Sequence, residues 1–131
     1  MKDILARILI VDDEDIVLKS CLRVLQKLDY EIDTAYSGQT ALDKLDKKKY
    51  DIVVTDLMMP GMDGMQLLEE IKKRYPDVIV IIFTGYATVD TTRQALKAGA
   101  FDYIPKPFTP DELRNVIENA VKSLKNKNNS K

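Results

Sequence analysis

Val78-Ile79-Val80-Ile81-Ile82-Phe83 is apolar at every position. A strand with one wet face alternates polar and apolar residues, so this run predicts a strand covered on both faces. Such strands belong to parallel sheets held between two layers of helices. Parallel neighbours need long crossover connections, usually helical ones. The rest of the chain must therefore supply strands and helices in alternation.

It does so. Arg7-Ile8-Leu9-Ile10-Val11 is a first strand. Glu14 to Leu28 carries Val17, Cys21, Val24, Leu25 and Leu28 on one stripe at helical spacing. Glu31-Ile32-Asp33-Thr34-Ala35 alternates and predicts an edge strand, and Ser37 then caps a helix to about Lys47. Asp51-Ile52-Val53-Val54-Thr55-Asp56 is a buried strand ended by a carboxylate, and its Pro- and Gly-containing loop runs to Gly64. Asp63 and Gln66 form a capping-box pair for a helix through Met65, Leu67, Leu68, Ile71 and Tyr75 that stops near Pro76. Thr88 to Ala98 is a weaker helix, closed by Gly99. Phe101-Asp102-Tyr103-Ile104 is the last strand. Thr109-Pro110-Asp111-Glu112 then opens a final helix with a Thr cap, Pro at N1 and Glu at N3. Five strands alternating with five helices predict an α/β fold, a doubly wound parallel sheet with right-handed crossovers. Residues 1–124 read as one domain, and the polar residues 125–131 as a disordered tail.

Composition narrows the chemistry. The chain of 131 residues contains no histidine, which excludes His-based triads, His metal sites and His acid–base catalysis. Cys21 is the only cysteine, so no intrachain disulfide forms, which fits a reducing cytoplasm. A net charge of −1 gives no reason to expect direct nucleic-acid binding or attraction to an acidic membrane. The sequence shows neither a signal peptide nor an apolar run of spanning length.

In a parallel sheet all strands end at one edge, and ligands bind there, at the switch in strand order. Asp12-Asp13, Asp56, Thr84 and Lys106 each follow or end a strand, so topology brings them to that edge. Taken singly, each has an ordinary role: helix-start acids, a loop cap, a strand-end hydroxyl, a surface lysine. Together they form a phosphoryl-handling set. Three converging carboxylates must protonate, spread apart or take a cation. Oxygen donors without His or Cys favour Mg²⁺, Mn²⁺ or Ca²⁺, and too few acids converge for a closed Ca²⁺ cage. An open Mg²⁺ site fits best, with one carboxylate as phosphoryl-accepting nucleophile. Lys106 and the Thr84 hydroxyl would then meet phosphoryl oxygens.

These residues resemble the receiver domain of bacterial two-component response regulators over about residues 7–124. Val11-Asp12-Asp13-Glu14 resembles the family's acidic pair. Asp56 with Met59-Pro60-Gly61-Met62-Asp63-Gly64 matches its phosphoacceptor and following loop, Thr84-Gly85 its switch hydroxyl, and Lys106-Pro107-Phe108 its lysine motif, usually with a cis Lys-Pro bond. The resemblance implies a flavodoxin-like fold with strand order 2-1-3-4-5. It implies Mg²⁺ bound directly by Asp13, Asp56 and the Met58 backbone carbonyl, with Asp12 acting through a metal-bound water. Tyr103 stands where the family has its switch aromatic. The implied function is a signalling switch that catalyses only its own phosphoryl transfer and dephosphorylation. A sensor histidine kinase or phosphotransfer protein, or a small phosphodonor, would load it. Phosphorylation would then remodel the face of the fourth helix, fifth strand and fifth helix toward an output domain, a downstream protein or a second copy of the chain. Met58 and Tyr86 are bulky and uncharged at positions that bear on phosphoryl lifetime, which implies a long-lived phosphoryl group. The stretch Thr84 to Tyr103 looks most like receivers attached to ATPase-type transcription activators.

Three rivals remain open to test. A phosphatase of the haloacid dehalogenase type needs a second Asp two residues after the first, where Met58 stands. A flavin carrier needs a hydroxyl-rich phosphate loop where Asp12-Asp13 would repel phosphate. A phosphorylation-independent interaction domain would not need the intact set.

Overall fold

The computed structural model describes residues 4–85 and 88–129, so Tyr86 lies outside the described residues. Strands β1 (Ala6–Val11), β2 (Tyr30–Ala35), β3 (Ile52–Thr55), β4 (Ile79–Thr84) and β5 (Asp102–Pro105) alternate with helices along the chain. The helices are α1 (Asp15–Leu25), α2 (Gly38–Lys47), α3 (Gly64–Arg74), α4 (Val89–Lys97) and α5 (Pro110–Asn129). All neighbouring strands are parallel, in the order β2-β1-β3-β4-β5. Strand order reverses between β1 and β3, and this is the crevice where a ligand site is expected.

The uninterrupted apolar run serves two cores. Val80 and Ile82 join Leu9, Val11 and Val53 under α2 and α3. Ile81 and Phe83 join Ile8, Ile10, Ile52 and Val54 under α1 and α5, with Cys21 in that layer. The period-2 alternation of a strand makes this division. Burial pushes the Cys21 thiol up to about 12, so it is an inert packing residue.

Helix starts follow the sequence signals closely. The Ser37 hydroxyl accepts from the Thr40 N–H at 3.1 Å. Asp63 and Gln66 close a reciprocal box at 2.9 and 3.0 Å, and Thr109 and Glu112 another at 3.1 and 2.9 Å. Thr88 and Thr91 form a box that composition alone does not announce, with Thr91 in the place of the usual Glu or Gln. Gly99 closes the turn after α4 at φ +108, where a side chain would be strained.

Helix ends depart more. α1 stops at Leu25, and Leu28 reaches the core from a turn in which its N–H donates to the Leu25 carbonyl at 3.1 Å. At the other end of the chain, α5 runs to Asn129, five residues beyond the expected domain boundary at Leu124. No Gly or Pro follows Leu124 to break it, and Lys125 suits the negative end of the helix dipole. Residues 130–131 of the expected tail lie outside the described residues.

Candidate functional site

The sheet itself sets the site residues in place. Asp12 N–H donates to the Ala35 carbonyl at 3.1 Å, and Asp56 N–H to the Val11 carbonyl at 3.2 Å. Lys106 N–H donates to the Thr84 carbonyl at 2.9 Å. Each of these bonds continues a strand ladder by one residue, so the side chains inherit the rigidity of the sheet. Asp12 and Thr84 are fully buried and Asp56 is 4% exposed. Asp13 is exposed. Carboxylate oxygens of Asp12, Asp13 and Asp56 all lie within 4.8 Å of one another.

Lys106 lies between two of these acids. Its Nζ is 2.7 Å from Asp12 Oδ2 and 2.8 Å from Asp56 Oδ2, with the side chain 16% exposed. The same ammonium stands 4.9 Å from the centre of the Phe83 ring, against which Phe108 packs at 6.0 Å. The remaining acceptors are used by backbone donors. Asp12 Oδ1 accepts from the Glu14 N–H at 2.8 Å, and Asp56 Oδ1 from the Met58 N–H at 3.2 Å. Burial holds the Asp12 carboxyl above its ordinary range, only partly offset by Lys106 and the Glu14 N–H. Burial disfavours the Lys106 charge, but its two carboxylate partners outweigh that and hold its pKa above the usual lysine value. Three carboxylates thus converge beside a single ammonium, and a further cation is favoured there.

One structural support was not evident from the residue types. Gly64 is pressed on the strand end: a Cβ there would stand 2.0 Å from the Asp56 carbonyl oxygen. The loop thereby folds back tightly behind the acid, and Gly64 N–H donates to the Leu57 carbonyl at 2.8 Å. Its position at the first turn of a helix after a short loop was a signal, but its close approach to Asp56 was not. The Lys106-Pro107 peptide is cis, as the lysine motif implied.

The structure therefore brings Asp12, Asp13, Asp56 and Lys106 together, with the Met58 N–H on the same carboxylate and the Thr84 carbonyl on the Lys106 backbone. Tyr103 lies apart from them. It pairs in register with Ile82 and lines a groove with Val89, Thr92, Arg93 and Leu96 of α4.

A doubly wound parallel sheet with buried acids and a lysine at its switch-point edge has the architecture of a receiver domain. The model of the response regulator receiver domain matches residues 8–118, and the chain belongs to that family of phosphorylation-dependent switches. The DNA-binding transcriptional regulator NtrC of Klebsiella pneumoniae is 40% identical over 112 residues, covering 86% of this chain and 24% of that protein. The regulatory protein AtoC of Escherichia coli is 41% identical over 115 residues, covering 88% of this chain and 25% of its own. The chain thus spans about a quarter of these relatives. Among solved structures, a CheY-like receiver domain protein of Methanospirillum hungatei superposes with a TM-score of 0.89 at 33% identity, over 93% of this chain and 98% of that one. NtrX of Brucella abortus superposes with the same score at 34% identity, over 95% of this chain and 29% of its own. Among the described residues no helix is long and apolar enough to cross a membrane.

Proposed function

We propose that Asp56 accepts a phosphoryl group from a sensor histidine kinase, a phosphotransfer protein or a small phosphodonor, and that Mg²⁺ at the acidic cluster assists. The observation that supports this most is the Lys106 ammonium held 2.8 Å from Asp56 Oδ2 at a strand end where three carboxylates converge. The donor set fits the ion, since it is made of hard oxygens with no nitrogen or sulfur ligand among them. Asp13 and Asp56, with the Met58 carbonyl, would hold Mg²⁺ directly, and Asp12 would support it. When bound there, the ion would supply positive charge against the incoming phosphoryl oxygens.

The protein's own residues do the rest. An Asp56 carboxylate oxygen bonds to phosphorus while the bond from phosphorus to the donor breaks. Lys106, released from sharing Asp56, is placed to meet a phosphoryl oxygen as a point charge. The Thr84 hydroxyl is the neutral donor for another. Its movement toward the new charge opens space behind β4, and the half-buried Tyr103 ring turns into it. The α4–β5–α5 face then changes toward an output domain, a downstream protein or a second copy of the chain. The relatives named as transcriptional regulators favour an output in transcription control, in the manner of receivers attached to ATPase-type activators. In this reading the chain works in the cytoplasm, does not itself bind nucleic acid, and turns over only its own phosphoryl group.

Incubation with Mg²⁺ and a small acyl phosphate, followed by intact mass measurement, tests the assignment. One phosphoryl group should add to wild type and none to Asp56→Asn. An equal mass gain in the variant would move the acceptor elsewhere.

A further inference from the structure

Four methionines follow Asp56 in quick succession, Met58, Met59, Met62 and Met65, and they are not equivalent. Met59 is 7% exposed. Met62 and Met65 pack partly buried against the core under α2 and α3. The Met62 sulfur is further shielded by the start of α2, where a Cβ on Gly38 would stand 2.9 Å from it. Met58 is 55% exposed, and its backbone N–H is the donor to Asp56 Oδ1 at 3.2 Å. Met58 is thus more than half exposed two residues after the acceptor carboxylate, while the other three methionines are covered or partly covered.

We propose that Met58 is the preferred sulfoxidation site of this loop for hydroperoxides, and that the sulfoxide shortens the life of a phosphoryl group on Asp56. The second half rests on Asp56 being the acceptor. In the oxidation, a sulfur lone pair attacks one peroxide oxygen. The S–O bond forms, the O–O bond breaks, and the departing oxygen leaves as water or alcohol after taking a proton. Sulfur loses two electrons and the hydroperoxide gains two. An apolar side chain becomes a polar one.

The consequence follows from hydrogen-bonding capacity. A thioether sulfur is a weak acceptor and holds water poorly. A sulfoxide oxygen is a strong one, and on Met58 it is carried by the residue whose backbone N–H holds Asp56. A water held there is better placed for attack, and positioning of this kind lowers a barrier. In the hydrolysis the water oxygen bonds to phosphorus and the bond from phosphorus to the Asp56 oxygen breaks. The carboxylate is regenerated, and the proton passes to inorganic phosphate or bulk water. Methionine sulfoxide is reducible by dedicated reductases, so the change is reversible. Peroxide would thereby shorten the signal without touching the acceptor itself.

The test has two readouts on the same chain. Graded hydrogen peroxide treatment of the folded protein, followed by peptide mass mapping, should place the first added oxygen on Met58. Oxidation of Met59, Met62 or Met65 first or at equal rate overturns the site. The chain is then phosphorylated with a small acyl phosphate and Mg²⁺, the donor is removed, and loss of the phosphoryl mass is followed. Prior oxidation should speed the loss severalfold in wild type and make no difference to the lifetime that Met58→Leu shows. Equal decay with and without oxidation, or a peroxide effect that persists in Met58→Leu, overturns the lifetime claim. A chain that accepts no phosphoryl group in either state overturns the reading of Asp56 and the lifetime claim with it, while the peptide map alone still decides the modification site.

Discussion

Lys106 carries two roles at the residue scale. The sequence reading gives it a phosphoryl oxygen to neutralise. The structure adds a second task, since its ammonium separates Asp12 and Asp56, one fully buried and the other nearly so. Removing one partner of a buried ion pair strands the others, at a cost of about 2 kcal/mol for a cation that keeps some contact with water. Lys106→Ala should therefore melt below wild type without Mg²⁺ and recover most of the loss when Mg²⁺ is added. Differential scanning calorimetry with and without the ion checks this, and equal melting temperatures without Mg²⁺ would count against it. Asp13→Asn should behave in the opposite sense. It removes an exposed like charge and a ligand, so it should melt modestly higher than wild type without Mg²⁺ and respond less to the ion. If both proteins gain equally from Mg²⁺, Asp13 is not a ligand. That these residues share an edge was legible from periodicity and parallel topology. The bonds of Lys106 to acids 94 and 50 residues away were not, because side-chain reach and burial are set by packing rather than spacing.

At the scale of elements, the site depends on how the β3–α3 loop closes and on how loosely α4 is held. Gly64→Ala would drive a methyl into the Asp56 carbonyl, and such overpacking costs about 1–3 kcal/mol. The variant should melt lower and take up phosphoryl groups more slowly, because Asp56 shifts with its backbone. Unchanged phosphorylation kinetics would show that the loop adapts. Ala95 is the one buried residue of α4, while Val89 and Leu96 are 73% and 49% exposed. Few buried apolar contacts mark an element that opens at low free energy. The weakness of α4 was legible in Thr91, Thr92 and its scarcity of large apolar residues. The capping box of Thr88 and Thr91 was not, since Thr at the third position is an unusual partner. Thr88→Ala should cost about 1 kcal/mol locally, seen as faster amide exchange confined to α4. Faster exchange spread over all five helices would contradict that local role.

Across the whole molecule, a second group of charges lies on the edge strand β2. There Asp33 accepts from the Tyr50 hydroxyl and from Lys48 at 3.0 Å, and Lys48 also holds Glu31 at 2.8 Å. Burial raises the Asp33 pKa, but the bonds from Tyr50 and Lys48 outweigh it and leave the carboxyl below 3.8. A carboxyl lowered on folding contributes stability above its unfolded pKa and loses it as pH falls through the folded one. Tyr50→Phe should therefore melt below wild type at neutral pH, and the difference should narrow as pH drops below 3.8. A difference constant with pH would mean that the hydroxyl does not act through Asp33. The layers of the fold were readable because one apolar run fixes a two-sided sheet, whereas the strand order was implied only by the family resemblance. The α5 extension was not, because polar residues without Gly or Pro are as compatible with helix as with disorder. The central claim joins the two ends of this architecture: charge placed on Asp56 is read at the α4–β5–α5 face through Thr84. Reversing a population from 1:99 to 99:1 needs about 5.5 kcal/mol of differential stabilisation, within the scale of a few charge-assisted contacts. The direct measurement is backbone amide NMR of wild type and Thr84→Ala, each with Mg²⁺ and with and without a phosphoryl mimic. Wild type should show its largest remote shifts on α4, β5 and α5, with Tyr103 among them, and Thr84→Ala should lose those shifts while keeping the changes around Asp56. Largest shifts on α1 and α2, or a Thr84→Ala variant that responds as wild type does, would contradict it.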